Sequence, residues 1–306
     1  MTKEEKILKD VQQTANTFSF KWGEKRNTYS GNKVNDFHIK WSIERFFSTR
    51  HKMDEFLNWT RGKSLMDAGC GNGFTASVLW GEMLNELQYL GVDNANGALE
   101  EGRKRFEEEG FNGEFRNADI SNMSLKDRFD IILSSGVIHH TEDPKKTFFN
   151  LINHLKPGGR IIFYIYKKKA PVREFVDDFV RDRLEGLSQE DAWNKMIPLT
   201  ELGIELGKIK RLVKVENEIE LLGIPKGEYK VQELLYWYFF KAFYREEYTL
   251  DQMNNINFDW YCPKYCFRFE PEEIDIWLTE AGLLVEQFNV LPSGIGVIAK
   301  SIMAHS

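Results

Sequence analysis

Cysteine is scarce in this chain, three residues among 306. Three thiols cannot build the disulfide framework of a small secreted domain. Cys262 and Cys266 are spaced C-x3-C, but a structural zinc site needs four ligands and no second pair accompanies them; free thiols and no metal are expected. Long apolar runs are missing too: none approaches the ~20 residues that span a bilayer. The stretch from Met1 to Gln13 is charged and helix-like and has no apolar segment. A reducing, cytoplasmic setting without a membrane partner is the expectation. Positive charge is not in excess: 41 Lys and Arg stand against 47 Asp and Glu, a formal charge of -6. Neutralising phosphates ordinarily takes a basic surface, so nucleic acid is not an expected partner. No internal repeat or low-complexity tract interrupts the chain.

What the chain does have is glycine at alternate positions. Leu65-Met66-Asp67-Ala68-Gly69-Cys70-Gly71-Asn72-Gly73-Phe74 reads as a short apolar strand, a bend of bare backbone and the start of a helix. Glycine lets the chain turn sharply and lets a ligand lie against main chain. The spacing differs from the G-x-G-x-x-G of dinucleotide-binding units, because it reads D-x-G-x-G-x-G. Three further segments share its grammar of apolar strand ending in a polar residue. Gln88 to Asp93 ends in Asp93, and a carboxylate at the tip of a second strand can accept from both hydroxyls of a ribose. Phe115 to Ile120 reads as a third strand ending in Asp119. Phe129 to Ser135 is a fourth, followed by Gly136-Val137-Ile138-His139-His140 and by Asp143-Pro144. Leu155-Lys156-Pro157-Gly158-Gly159-Arg160 turns into a fifth.

These five segments, in this order over roughly 100 residues, resemble the motifs of class I S-adenosylmethionine (SAM)-dependent methyltransferases. The resemblance implies an α/β fold, a Rossmann-like sheet with helices on both faces. It implies SAM as cofactor and S-adenosylhomocysteine as product. It assigns Asp67, Gly69, Cys70, Gly71 and Gly73 to the methionine side of the cofactor, Asp93 and Asn94 to its ribose, Asp119 and Ile120 to its adenine, and Ser135 to the tip of the fourth strand. His139 and His140 fall near the expected position of the transferable methyl, and either could take a hydroxyl proton because histidine titrates near neutrality. Each also has a structural reading, as a loop histidine bonded to backbone.

The family core needs about two-thirds of this length, which leaves room for additions. Residues 1–60 read as an N-terminal helical cap, 61–168 as the SAM-binding core, 169–268 as an aromatic-rich helical insertion and 269–306 as the end of the core sheet. In the cap, Trp22 and Tyr29 are candidates for the acceptor wall, or staples of the cap to the core, on either side of a polar loop from Glu24 to Asn35. Within the insertion, helices are expected over 172–184, 189–222 and 230–244. Inserted beside the carboxyl edge of the sheet, where open α/β sheets bind ligands, it is placed to be a lid; its aromatics equally suit a cap core or a homodimer interface. Asp259-Trp260-Tyr261-Cys262-Pro263-Lys264-Tyr265 resembles a stretch before the last helix of many small-molecule methyltransferases, and Trp260, Tyr261 and Tyr265, with Tyr166 on the fifth strand, are the remaining acceptor-site candidates. Lys167, Lys168, Lys169 and Arg173 form a basic cluster that could meet a phosphate or simply be solvated. The expected activity is methyl transfer to oxygen or nitrogen of a small-molecule acceptor. RNA or protein methylation, and SAM binding without turnover, are the alternatives.

Overall fold

The computed structural model describes residues 2–24 and 32–302. Three helices come first, α1 (Lys3–Ser19), α2 (Asn32–Ser42) and α3 (Arg50–Thr60), with π-helical turns at Phe20–Glu24 and Ile43–Phe47. Strands and helices then alternate: β1 (Ser64–Ala68), α4 (Phe74–Trp80), β2 (Gln88–Asp93), α5 (Asn96–Glu109), β3 (Glu114–Asn117), β4 (Phe129–Ser135), α6 (Pro144–Ile152) and β5 (Leu155–Tyr166). Next come α7 (Pro171–Leu184), α8 (Gln189–Lys208), β6 (Leu212–Val215), β7 (Gly227–Lys230), α9 (Val231–Tyr238) and α10 (Leu250–Tyr261). The chain closes with α11 (Pro271–Glu280), β8 (Leu283–Val290) and β9 (Gly294–Ser301).

The main sheet has the order β3-β2-β1-β4-β5-β9-β8. β3 to β5 are mutually parallel, and β9 and β8 return antiparallel. Both faces are covered, so the central strands are buried throughout rather than alternating in exposure: all five residues of β1 are buried. One face sends Leu65, Ile131, Leu133 and Ile162 against Phe47, Leu79 and Trp80, and the same cluster continues into Trp193, Met196 and Phe258 of the insertion. The other sends Met66, Ile132, Ile161 and Phe163 against Phe148, Leu151, Trp277 and Leu278. The strand order reverses between β1 and β4, and the crevice of a doubly wound sheet opens at that switch point.

The insertion departs from its sequence reading. The helix expected over 189–222 stops at Lys208, because Leu212 and Lys214 alternate with Val213 and Val215 in exposure and pair with β7 as a hairpin. The helix expected over 230–244 stops at Tyr238. A further helix, α10, begins at a capping box in which Thr249 and Gln252 bond reciprocally. β3 ends at Asn117, two residues short of the expected Asp119.

Candidate functional site

A cavity of about 170 Å³ lies at the carboxyl ends of the parallel strands. Its floor is the loop after β1. Gly69, Gly71 and Gly73 all have positive φ, at 78°, 54° and 70°. Gly69 leaves no room for a side chain, since a Cβ there would lie 2.2 Å from Val137, and one on Gly71 would press on the Trp22 indole nitrogen at 3.1 Å. Cys70, Gly71 and Asn72 therefore present main chain and short side chains to the cavity. The Asn72 side-chain oxygen is buried without a hydrogen-bond partner among the described residues.

Asp93, Asn94, Asp119, Ile120 and Ser135 line the same cavity at the tips of β2, β3 and β4. Asp93 accepts the Gly71 N–H at 2.8 Å on one oxygen and the Ala95 N–H at 2.9 Å on the other. A carboxylate has about four lone-pair sites, so acceptor capacity for two hydroxyls remains. Burial pushes the Asp93 carboxyl above the usual carboxylate range, while those main-chain donors oppose the shift. Asp119 accepts the Ser121 N–H at 2.8 Å and keeps its other oxygen toward Asn122. Bare glycine backbone, two acids with spare acceptor sites and an orphaned Asn72 oxygen fit the polar groups of an adenosyl amino acid. Asp67 and Gly73 sit elsewhere. Asp67 is buried beneath the loop and accepts the Tyr89 hydroxyl at 3.1 Å, and burial raises its carboxyl to about 7. Gly73 backs onto Phe106. Neither borders the cavity, so any part they play in cofactor binding runs through the loop.

The opposite wall is aromatic. Phe18, Trp22 and Trp41 come from the cap, and Tyr164 and Tyr166 from β5. His140 joins them. Its Nδ1 lies 2.6 Å from the Tyr265 carbonyl, which can only accept, so Nδ1 carries the proton and Nε2 holds the lone pair. Nε2 is buried without a hydrogen-bond partner among the described residues. Burial lowers the imidazole to about 4, so it is neutral at physiological pH. Asp259 of α10 completes the wall. It accepts Lys21 Nζ at 2.6 Å and the Tyr166 hydroxyl at 3.1 Å. Burial alone would raise this carboxyl, but the Lys21 ammonium beside it holds it at about 2.

Several expected site residues are not brought to the cavity. His139 is fully buried outside it, its ring 3.7 Å from that of Tyr166, because consecutive residues of the short turn after β4 face different ways. Trp260 and Tyr261 point into the insertion, where both donate to Asp177, at 2.7 and 2.9 Å. Tyr265 lines a separate surface groove and reaches the site only through its carbonyl. Tyr29 lies outside the described residues, as does most of the polar loop expected from Glu24 to Asn35. The cavity's aromatics thus come from the cap, β5 and, with Phe74, α4, and the insertion contributes Asp259. The basic cluster is also consumed internally. Lys169 Nζ donates to three main-chain carbonyls, Lys168 faces Glu270 and Glu273, and Arg173 pairs with Asp177. Conversely, Lys21, Trp41 and Arg45 were not expected, since they belong to no spaced motif and meet only through folding; Asn72 lies inside the glycine motif but was not singled out.

Residues 60–201 match the sequence profile of a family described as "Methyltransferase domain". A ubiquinone biosynthesis O-methyltransferase of Rickettsia canadensis is 23% identical over 198 residues, 61% of this chain and 80% of that protein. The enzyme of the same name from Coxiella burnetii is 30% identical over 105 residues, 34% of this chain and 43% of that one, so the match spans less than half of its length. Among solved structures, a SAM-dependent methyltransferase from Aquifex aeolicus superposes with a TM-score of 0.44 at 14% identity, covering 87% of this chain and 98% of its own. Glycine loop, acid-tipped strands, sheet order and profile match agree: residues 60–201 are a methyltransferase domain, consistent with the class I SAM-dependent methyltransferase superfamily.

Proposed function

We propose that the protein transfers a methyl group from SAM to an oxygen or nitrogen of a small molecule held between the N-terminal cap and β5. SAM, when bound, supplies a methyl already activated by a positive sulfur. The chain then has three tasks: to align the nucleophile, to exclude water and to accept one proton. The observation that carries the reading is the neutral His140 on the wall facing the glycine loop. With Nδ1–H committed to the Tyr265 carbonyl, the buried Nε2 lone pair is available to a hydroxyl proton. Desolvation makes this a weak base at rest, and the Asp259 carboxylate works against that by favouring the charged imidazole. Phe18, Trp22, Trp41, Tyr164 and Tyr166 give flat apolar surface that keeps water out. The O-methyltransferase relatives support oxygen as the atom.

The test is a methyl-transfer screen against phenols, amines and thiols with wild-type protein and His140→Gln. Glutamine fills the site without a basic nitrogen. General-base catalysis typically contributes about 10²–10⁴-fold, so turnover of a hydroxyl acceptor should fall by at least about 100-fold with SAM affinity retained. Unchanged turnover would remove His140 from the mechanism, and failure of the wild type to bind SAM would remove the reading altogether.

A further inference from the structure

The buried and half-buried cations around the site and insertion fall into two groups. Most have partners: Lys21 has Asp259, and Arg173 has Asp177. Arg181 faces Asp178, and Arg268 faces Glu174 and Asp178. Arg45 does not. It is 4% exposed, borders the cavity and has no carboxylate partner among the described residues. Its Nε is buried without a hydrogen-bond partner among the described residues. An unpaired buried charge is costly, by several kcal/mol. Lys241 escapes that cost: burial brings its ammonium down to about 7, where it can shed the proton. Burial lowers Arg45 to about 10, so it stays charged at neutral pH.

The fold holds Arg45 there deliberately. Its carbonyl accepts the Asn289 side-chain amide at 3.1 Å. Gly296 of β9 has no Cβ, and one placed there would lie 2.1 Å from that same carbonyl. The guanidinium lies between the rings of Trp41 and Tyr164, 3.4 Å from the centroid of the latter. Stacking covers the faces of the guanidinium, and the Tyr164 hydroxyl and Asp259 favour its charge; its Nε–H still lacks an acceptor among the described residues, and a planar fork suits a bidentate anion. Place matters as well. Asp93 and Asp119 follow β2 and β3, whereas Arg45 stacks on β5, across β1 and β4 from them. A ribose and base at the acid tips would leave Arg45 on the far, aromatic side.

We propose that Arg45 recognises a carboxylate on a flat, aromatic acceptor and so sets the substrate class. This rests on the methyl-transfer reading above. The other source of a carboxylate is the amino-acid end of SAM itself, and the experiment separates the two.

Wild-type protein saturated with S-adenosylhomocysteine is titrated calorimetrically with para-hydroxybenzoate and with para-hydroxybenzamide, which match in shape while the amide lacks the charge and puts a donor in place of one acceptor oxygen. A hydrogen-bonded charge pair predicts that the acid binds at least about tenfold more tightly than the amide. The preference should vanish in Arg45→Gln and persist in part in Arg45→Lys, while affinity for S-adenosylhomocysteine changes little. Equal affinity of wild type for acid and amide, or no binding of the acid, overturns the proposal without any variant, so a misfolded Arg45→Gln does not shelter it. A loss of SAM affinity in Arg45→Gln that is absent for decarboxylated SAM would assign Arg45 to the cofactor and overturn it too. If the wild type binds no S-adenosylhomocysteine, the methyl-transfer reading itself has failed.

Discussion

Replacing Asp177 by alanine should unfasten α10 from α7 within the insertion. Asp177 is fully buried in α7 and serves three donors: Arg173 Nε at 2.7 Å, the Trp260 indole at 2.7 Å and the Tyr261 hydroxyl at 2.9 Å. Arg173, itself 1% exposed, would keep one partner, the Tyr236 carbonyl, and lose its counterion. Breaking a buried pair by removing one member costs about 3–5 kcal/mol, because a charge is left without compensation. The two neutral donors add to that cost, though not in full, since all three share one acceptor. We expect a loss near the top of that range. At roughly 2 °C per kcal/mol for a domain of this size, the midpoint of thermal unfolding should drop by about 8–10 °C. Urea unfolding followed by tryptophan fluorescence and thermal unfolding by circular dichroism measure this directly. The double variant Arg173→Met, Asp177→Leu removes both charges and should recover much of the loss, since a buried pair exchanged for apolar packing is often neutral. The effect on function should be lopsided. α10 carries both Trp260 and the cavity residue Asp259, so turnover should suffer more than SAM affinity if SAM is held, as proposed, at the tips of β2 to β4. A destabilisation below about 1 kcal/mol, in the range of an exposed pair, would refute the hub.

Two further outcomes follow from the cavity. Asp93→Ala removes the acceptor of the Gly71 and Ala95 N–H groups together with the carboxylate facing the cavity; SAM affinity should fall by at least ~1 kcal/mol, about fivefold, in a calorimetric titration, and an unchanged affinity would refute the ribose assignment. The second concerns pH. His140 is held at about 4 in the fold against an ordinary 6.5, so between those values the unfolded chain binds more protons and this residue's contribution to stability is lost as pH falls. Buried Asp67, raised to about 7, slopes the opposite way over that window, so the clean readout is a difference. The stability of His140→Gln relative to wild type should improve steadily from pH 6.5 down to about 4; a flat difference would mean that His140 is not held neutral.

Local patterns carried much of the architecture into the sequence. An apolar strand, a glycine bend and an acid tip are each written within about ten consecutive residues, and a doubly wound sheet strings such units together in order. That is why Gly71, Asp93, Asp119 and Ser135 could be named as neighbours before any coordinates: parallel strands connected by helices bring their carboxyl ends to one edge whatever the surface sequence. The resemblance to a known family extended the same local signals. The insertion was less legible because short hairpin strands and the end of α8 depend on what they pack against, and a Leu-Val-Lys-Val segment reads either way.

What folding alone decided is which side chains meet. His139 and His140 are adjacent in sequence and differ in fate by the direction of one residue in a turn, with His140 fixed by a carbonyl 125 residues away. Trp260 and Tyr261 read as acceptor contacts from their place in a segment, yet a carboxylate on α7 drew both inward, since a buried Asp177 needs donors more than an apolar cavity needs two more rings. Arg45 and Lys21 belong to no motif, and their position against Tyr164 and Asp259 joins segments far apart in the chain. Electrostatics and close packing act through space, whereas a sequence displays only what is near along the backbone; so the class of fold and the carboxyl edge of the sheet were determined locally, and the composition of the aromatic wall was decided by tertiary structure.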